Sequence, residues 1–225
     1  MDSRFTRGSL LKLGGLLAAA VGADALKGGW FADASALASD TVTCVLTPEQ
    51  TEGPYYIAHE KVRRNITEGR PGTPLTLRLA VVNASTCRPI KGAAVDIWHC
   101  DASGTYSGFG AGRSSRTFMR GIQRTTADGI ATFKTVYPGW YSGRTVHIHV
   151  KVHVRGNVVH TGQLYFPDGV TDAAYRRAPY SSRPSRDVRN ATDSVYRNGG
   201  KRSLLRLRRS GGGYIGTIRM GMHRS

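Results

Sequence analysis

The sequence predicts an all-β fold, an antiparallel β-sandwich with long functional loops, and three observations predict it. Short runs rich in Val, Ile, Thr and Tyr alternate apolar with polar residues, the period-2 signature of a strand with one buried face. Gly, Pro, Asn and Asp punctuate those runs, with 28 glycines in all, so turn signals recur as they do in a sandwich or barrel. Length sets the scale: 225 residues, 40% of them hydrophobic, support one domain with a proper core.

At the N-terminus a basic stretch, Arg4 to Lys12, precedes an apolar segment, Leu13 to Ala23, that is too short and too rich in glycine for a membrane span. Residues 1–38 are read as an export segment and residues 39–225 as the β-sandwich domain. Within the former, Thr-Arg-Gly-Ser-Leu-Leu-Lys resembles a twin-arginine signal in which Gly8 stands where the second arginine belongs. Small-residue cleavage patterns occur at Ala23-Asp24-Ala25 and at Ala36-Leu37-Ala38, and the second places a mature start near Ser39. The expected protein is secreted, extracellular and not transmembrane after processing.

A strand-like run covers Thr41 to Leu46. Alternating segments follow at Leu75 to Asn83, Ala93 to Trp98, Gly129 to Thr135, Thr145 to Val154, Val158 to Phe166 and Tyr214 to Arg219. Two long polar connections, 103–127 and 167–213, are read as loops, the second with short helical turns at Thr171 to Tyr175 and Ala191 to Tyr196. Three cysteines in an exported chain imply one disulfide and one leftover thiol. Cys44 and Cys87 flank structure that a bridge would staple and form the expected pair. Cys100 ends a buried strand and is expected to be a free core thiol.

The net charge of +17 raises the question of nucleic acid. Residues 173–225 carry 13 Lys and Arg against Asp187 and Asp193, which is +11 of the total. Those cations are scattered among Ser, Gly and Asn without interleaved aromatics, so the sequence describes a solvated basic surface and no nucleic-acid partner. An anionic polymer or aromatic acid remains a compatible partner for that surface, and an oligomer is left open.

Chemistry concentrates at Tyr137 to Val150. His147 and His149 are two apart on a strand and share one face, while Ile148 and Val150 take the other. Two adjacent imidazoles make a metal-binding pair. Tyr141 lies just upstream in a Pro-Gly-Trp-Tyr turn, and Tyr106 follows the strand that ends at Trp98. A set of two phenols and two imidazoles lacks the carboxylate of the ferrous oxygenase triad and the thiolates common at zinc. Phenolate is a hard, anionic donor and suits a hard trivalent cation such as Fe(III), which in turn lowers the phenol pKa.

Four segments then carry a family resemblance. Thr-Glu-Gly-Pro-Tyr-Tyr at 51–56, Trp-His-Cys-Asp-Ala-x-Gly-x-Tyr at 98–106, Arg-Gly-Ile-Gln-Arg-Thr-x-x-Asp-Gly at 120–129 and Pro-Gly-Trp-Tyr-x-Gly-Arg-x-x-His-Ile-His at 138–149 occur in that order. Together they resemble the intradiol ring-cleavage dioxygenases over about Cys44 to Phe166. The resemblance implies Tyr106, Tyr141, His147 and His149 as ligands to Fe(III), with Tyr141 displaced by the substrate and acting as the base. It implies that Arg144 stabilises charge on the ring carbon that meets oxygen, that Gln163 lines the substrate pocket, and that the partners are a small aromatic diol and O2. The implied reaction inserts O2 between the two hydroxylated carbons of a catechol and yields a muconate-type diacid.

His153 shares the face of His149 but lies about 13 Å along the strand, too far for a shared metal. It and His160 are expected at the surface, and His99 is expected to pack rather than to ligate. Glu52 and Asp101 are the acids nearest the motifs and form no general-acid pair. Two rivals stand beside the dioxygenase: a secreted β-sandwich binding module without turnover, and a zinc or copper hydrolase or lyase at the His-x-His strand.

Overall fold

The computed structural model describes residues 45–110 and 115–223. The expected export segment 1–38 and Cys44 lie outside the described residues. The strands are β1 (Pro74–Asn83), β2 (Ala94–Trp98), β3 (Arg120–Arg124), β4 (Ile130–Val136), β5 (His147–Val154), β6 (Asn157–Tyr165), β7 (Arg206–Ser210) and β8 (Gly213–Met222). They form two four-stranded sheets, in the orders β4-β1-β8-β7 and β3-β2-β5-β6. The pairing is antiparallel except between β1 and β8, which run parallel from Leu75 opposite Tyr214 to Asn83 opposite Met222. Helices are short: α1 (Asp168–Tyr175) and α2 (Ser194–Arg197). Both fall on the expected helical turns. Among the described residues no helix is long and apolar enough to cross a membrane.

Alternation in sequence becomes layering in space. On β1 the side chains of Leu75, Leu77, Leu79 and Val81 are buried while Thr76 and Arg78 are partly exposed. The facing sheet contributes Val95, Ile97, Ile148, Val150, Val152 and Leu164 to the same core. Each such side chain removed from water contributes roughly 1.5–3 kcal/mol, which sets the registers.

β5 departs from a one-faced strand because both of its faces are covered. Ile148, Val150 and Val152 point into the sandwich, and His147, His149 and Lys151 on the opposite face are buried as well. The cover comes from two strips of chain. The arm that precedes Tyr55 runs over β6, with Gln50 N donating to Thr161 O at 2.9 Å, and a later segment docks through Leu205 N on Tyr165 O at 2.8 Å.

That cover explains one correction. His160, expected at the surface, is 2% exposed, and burial depresses its imidazole to about 4. It lies beneath the arm, beside Gly162 and the Pro48 carbonyl. His153 stays partly exposed, as expected. The two long connections also contain strands the sequence did not signal, β3 inside 103–127 and β7 inside 167–213. Cys87 is in a disulfide, and Cys100 is the free, buried thiol expected.

Candidate metal centre

Cross-strand register brings the motifs together. Trp98 on β2 pairs with His149 on β5, and on the other side His149 pairs with Gln163 and His147 with Tyr165 of β6. The Trp98 indole stacks on the His149 imidazole with centroids 4.9 Å apart and planes 5° from parallel. His147 Nδ1 lies 2.6 Å from Thr145 O. A carbonyl accepts only, so Nδ1 carries the proton and Nε2 presents a lone pair. That Nε2 is 3.0 Å from Tyr141 Oη and 3.1 Å from His149 Nε2.

Tyr106 reaches the same place through a tight turn after β2. The Asp101 carboxylate accepts from Ser103 N at 2.9 Å, Ser103 Oγ at 2.6 Å and Thr105 N at 3.0 Å, and Arg70 Nε binds its other oxygen at 2.8 Å. Gly104 allows the turn, with φ of +86°, and a β-carbon there would collide with the Trp140 carbonyl. The Tyr106 ring then meets Tyr141 edge to face at 5.7 Å. Its buried hydroxyl has no hydrogen-bond partner among the described residues.

Electrostatics keep every member of this set neutral in the protein alone. Burial, aided by the Arg144 charge, depresses His147 to about 3, and burial with His147 and Arg144 holds His149 well below its ordinary value. Burial pushes the Tyr141 phenol up to about 12 and Tyr106 well above its ordinary value. Two imidazole Nε2 atoms and two protonated phenols gather, and among the described residues the buried Tyr106 hydroxyl and His149 Nδ1 have no hydrogen-bond partner, a pattern that calls for an ion.

The residues present fit a single cation. Donors bound about 2.1 Å from a shared ion at right angles stand about 3 Å apart, as His147 Nε2 does from Tyr141 Oη and from His149 Nε2. Among the described residues no three His, Cys, Asp or Glu side chains gather to hold a metal ion, and the donors beside His147 and His149 are phenols. Phenolate favours Fe(III) over zinc.

Arg144 stands beside this set. Its Nε donates to Asp193 Oδ2 at 2.8 Å and its Nη2 to Gln163 Oε1 at 2.6 Å. Gln163 is fully engaged, since its Nε2 donates to Thr51 O at 3.0 Å and its Oε1 also accepts from Tyr165 at 3.1 Å. His99 packs and is satisfied by Cys100 O and Thr135 Oγ1. Glu52 pairs with Lys151 and Asp101 with Arg70, away from any acid–acid arrangement.

Three participants were not singled out from sequence. Tyr55 stacks on Tyr106 with centroids 4.2 Å apart and meets Tyr141 at 6.1 Å. Arg120, 1% exposed, ties two walls together by donating to Tyr55 O at 2.6 Å and Ser107 O at 2.8 Å. Asp193 anchors Arg144. Tyr55 and Arg120 sit inside quoted motifs, which was the available signal, whereas Asp193 lies in a polar stretch that gave none.

Known proteins resemble this chain in sequence and fold. The dioxygenase family model Dioxygenase_C matches residues 51–175, more than half of the chain. The intradiol ring-cleavage dioxygenase from Tetranychus urticae is 38% identical over 80% of this chain and 95% of its own, with a TM-score of 0.77. The dioxygenase domain of a dioxygenase carbohydrate-binding protein fusion from Streptomyces sp. SirexAA-E is 35% identical over 80% of this chain and all of its own, with a TM-score of 0.63. Catechol 1,2-dioxygenase 1 from Acinetobacter lwoffii is 35% identical over 101 residues, and the match spans only 32% of that protein's length. The family model, the sandwich and the shared sequence agree, and the chain belongs to the intradiol ring-cleavage dioxygenase family.

Proposed function

We propose that this chain is an iron(III)-dependent intradiol dioxygenase that opens a catechol between its two hydroxylated carbons and yields a muconate-type diacid. The observation that carries the reading is His147 Nε2 standing about 3 Å from both Tyr141 Oη and His149 Nε2, beside a Tyr106 hydroxyl with no hydrogen-bond partner among the described residues. Tyr106, Tyr141, His147 and His149 would hold the iron. Bound there, Fe(III) would supply Lewis acidity that withdraws electron density from a catechol and makes its ring reactive toward O2.

The chain's own residues set the rest. Thr145 O fixes the His147 tautomer through Nδ1, and Trp98 holds the His149 plane. Tyr141 is less buried than Tyr106, so it would be the phenol that takes a substrate proton on Oη. Tyr55 and Phe109 wall the site with aromatic faces at 5.3 Å from each other, which excludes water and suits a flat ring. Arg144 places a guanidinium where negative charge develops on the substrate, and Gln163 contributes by holding Arg144 in place.

Export belongs to the same reading. The Cys87 disulfide suits an oxidising compartment, and a reactant outside the cytoplasm would be an aromatic diol such as lignin-type material releases. The binding-module alternative is disfavoured by a complete, converged donor set. Oxygen uptake by iron-loaded protein across a panel of catechols tests the proposal. A diacid carrying both atoms of labelled O2 supports it; an aldehyde-bearing product, or no uptake with any catechol, rejects it.

A further inference from the structure

We propose that Asp193 is the positioning residue for Arg144, holding the guanidinium so that one nitrogen faces the site. The inference deepens the proposed function and rests on Arg144 acting there. Asp193 lies outside the region matched by the family model, which ends at residue 175, and it is 1% exposed.

Geometry makes it a clamp. Asp193 Oδ2 accepts from Arg144 Nε and from Thr145 N, both at 2.8 Å, and Oδ1 accepts from Tyr196 N at 2.7 Å at the start of α2. From the other side Gln163 Oε1 accepts from Nη2 at 2.6 Å. A guanidinium is planar, so two anchored nitrogens fix its plane. The clamp engages Nε and Nη2 and leaves Nη1 outside it, with the Tyr165 phenol as a further neighbour of the guanidinium. A buried carboxylate needs such a set of donors to be tolerated, and here three of them come from one turn and one helix.

The surrounding segment reinforces the grip. Asp187 Oδ2 accepts from Ser142 Oγ at 2.6 Å and Gly143 N at 3.0 Å, and Asn190 Oδ1 accepts from Thr145 Oγ1 at 2.7 Å. Residues 187–193 therefore hold residues 142–145, the turn that carries Arg144 and presents Thr145 O to His147. Asp193 is the one member that reaches the guanidinium itself.

A merely structural Asp193 would cap α2 and pin Thr145 without acting through Arg144, and two measurements separate the cases. The first reads turnover. Asp193→Asn should lower kcat about tenfold with a smaller change in KM, and in an Arg144→Ala background it should cost nothing further. Losses that multiply in the double variant would overturn the proposal. The second needs no turnover or iron. In the wild-type protein the Arg144 Nε–H resonance, assigned by its disappearance in Arg144→Ala, should be sharp and slow to exchange with solvent, and in Asp193→Asn it should broaden. A fast-exchanging signal in the wild type, or one unchanged in Asp193→Asn, would overturn the proposal even if the variant folds poorly. An inactive protein with the expected resonances would count against the dioxygenase reading and leave the Asp193 to Arg144 link standing.

Discussion

The α-carbon of Gly53 lies against the imidazole of His149: a β-carbon built there would stand 3.2 Å from Cε1, and the residue holds φ at +69°. The arm thus forms the wall behind one candidate ligand, and only glycine satisfies both the close approach and the left-handed backbone. Gly53→Ala should destabilise the fold by about 1–2 kcal/mol and displace the His149 ring. Urea unfolding and metal content of the purified variant check this. Unchanged iron content would mean that the arm does not set the ring's position.

Arg144→Ala should retain iron and visible colour while losing about 10²–10³ in kcat, since it removes a charge donor and no ligand. Steady-state kinetics beside the absorption spectrum make the comparison. A bleached variant would assign Arg144 to holding the metal centre instead.

Arg120 is buried between the Tyr55 and Tyr106 segments, with Glu60 3.9 Å away and hydrogen bonds to Tyr55 O and to Ser107 O and Oγ. Lysine offers a single point charge in place of a planar fork and cannot satisfy those acceptors together. Arg120→Lys should cost about 2–4 kcal/mol, read as a lower urea midpoint with an unchanged slope.

Asp96 is 1% exposed. Burial raises its carboxyl from 3.8 to about 7, with Glu60 adding to the rise and Tyr56, Lys151 and Arg120 opposing it. The folded protein then keeps a proton that the unfolded chain releases, so Asp96 contributes stability below about pH 4 that is lost as pH rises to about 7. Buried His147 and His149 act in the opposite sense, gaining stability as pH rises toward 6.5, and comparison with Asp96→Asn isolates the carboxyl. Asp96→Asn should match the wild type near pH 4 and exceed it by at most about 4 kcal/mol at pH 8. Parallel stability curves across that range would contradict the assignment.

What could be read from sequence follows from what alternation encodes. β1 and β5 carry inward-facing apolar residues at period two, and the positions of these strands and of β6 were legible. β7 was not: Arg206, Arg208, Arg209 and Ser210 are exposed on an edge strand, so no apolar face repeats there. β3 hid for the opposite reason, because Arg120 is buried and an arginine gives no core signal. The parallel pairing of β1 with β8 joins residues about 140 apart, beyond any local pattern. For the site, spacing placed His147 and His149 on one face, and motif order nominated Tyr106 and Tyr141. Asp193 is 49 residues from Arg144, and His160 is covered by an arm more than 100 residues upstream, so both depend on tertiary packing that composition does not record.

The central claim is that Tyr106, Tyr141, His147 and His149 hold one Fe(III). Its most direct test is the visible absorption spectrum of iron-loaded protein, recorded without oxygen before and after adding catechol, with Tyr106→Phe in parallel. The account predicts a broad phenolate-to-iron charge-transfer band that moves to longer wavelength with catechol and is weakened and shifted in Tyr106→Phe, which keeps only the Tyr141 phenolate. A protein that stays colourless after iron loading, or a variant with an unaltered band, would contradict it.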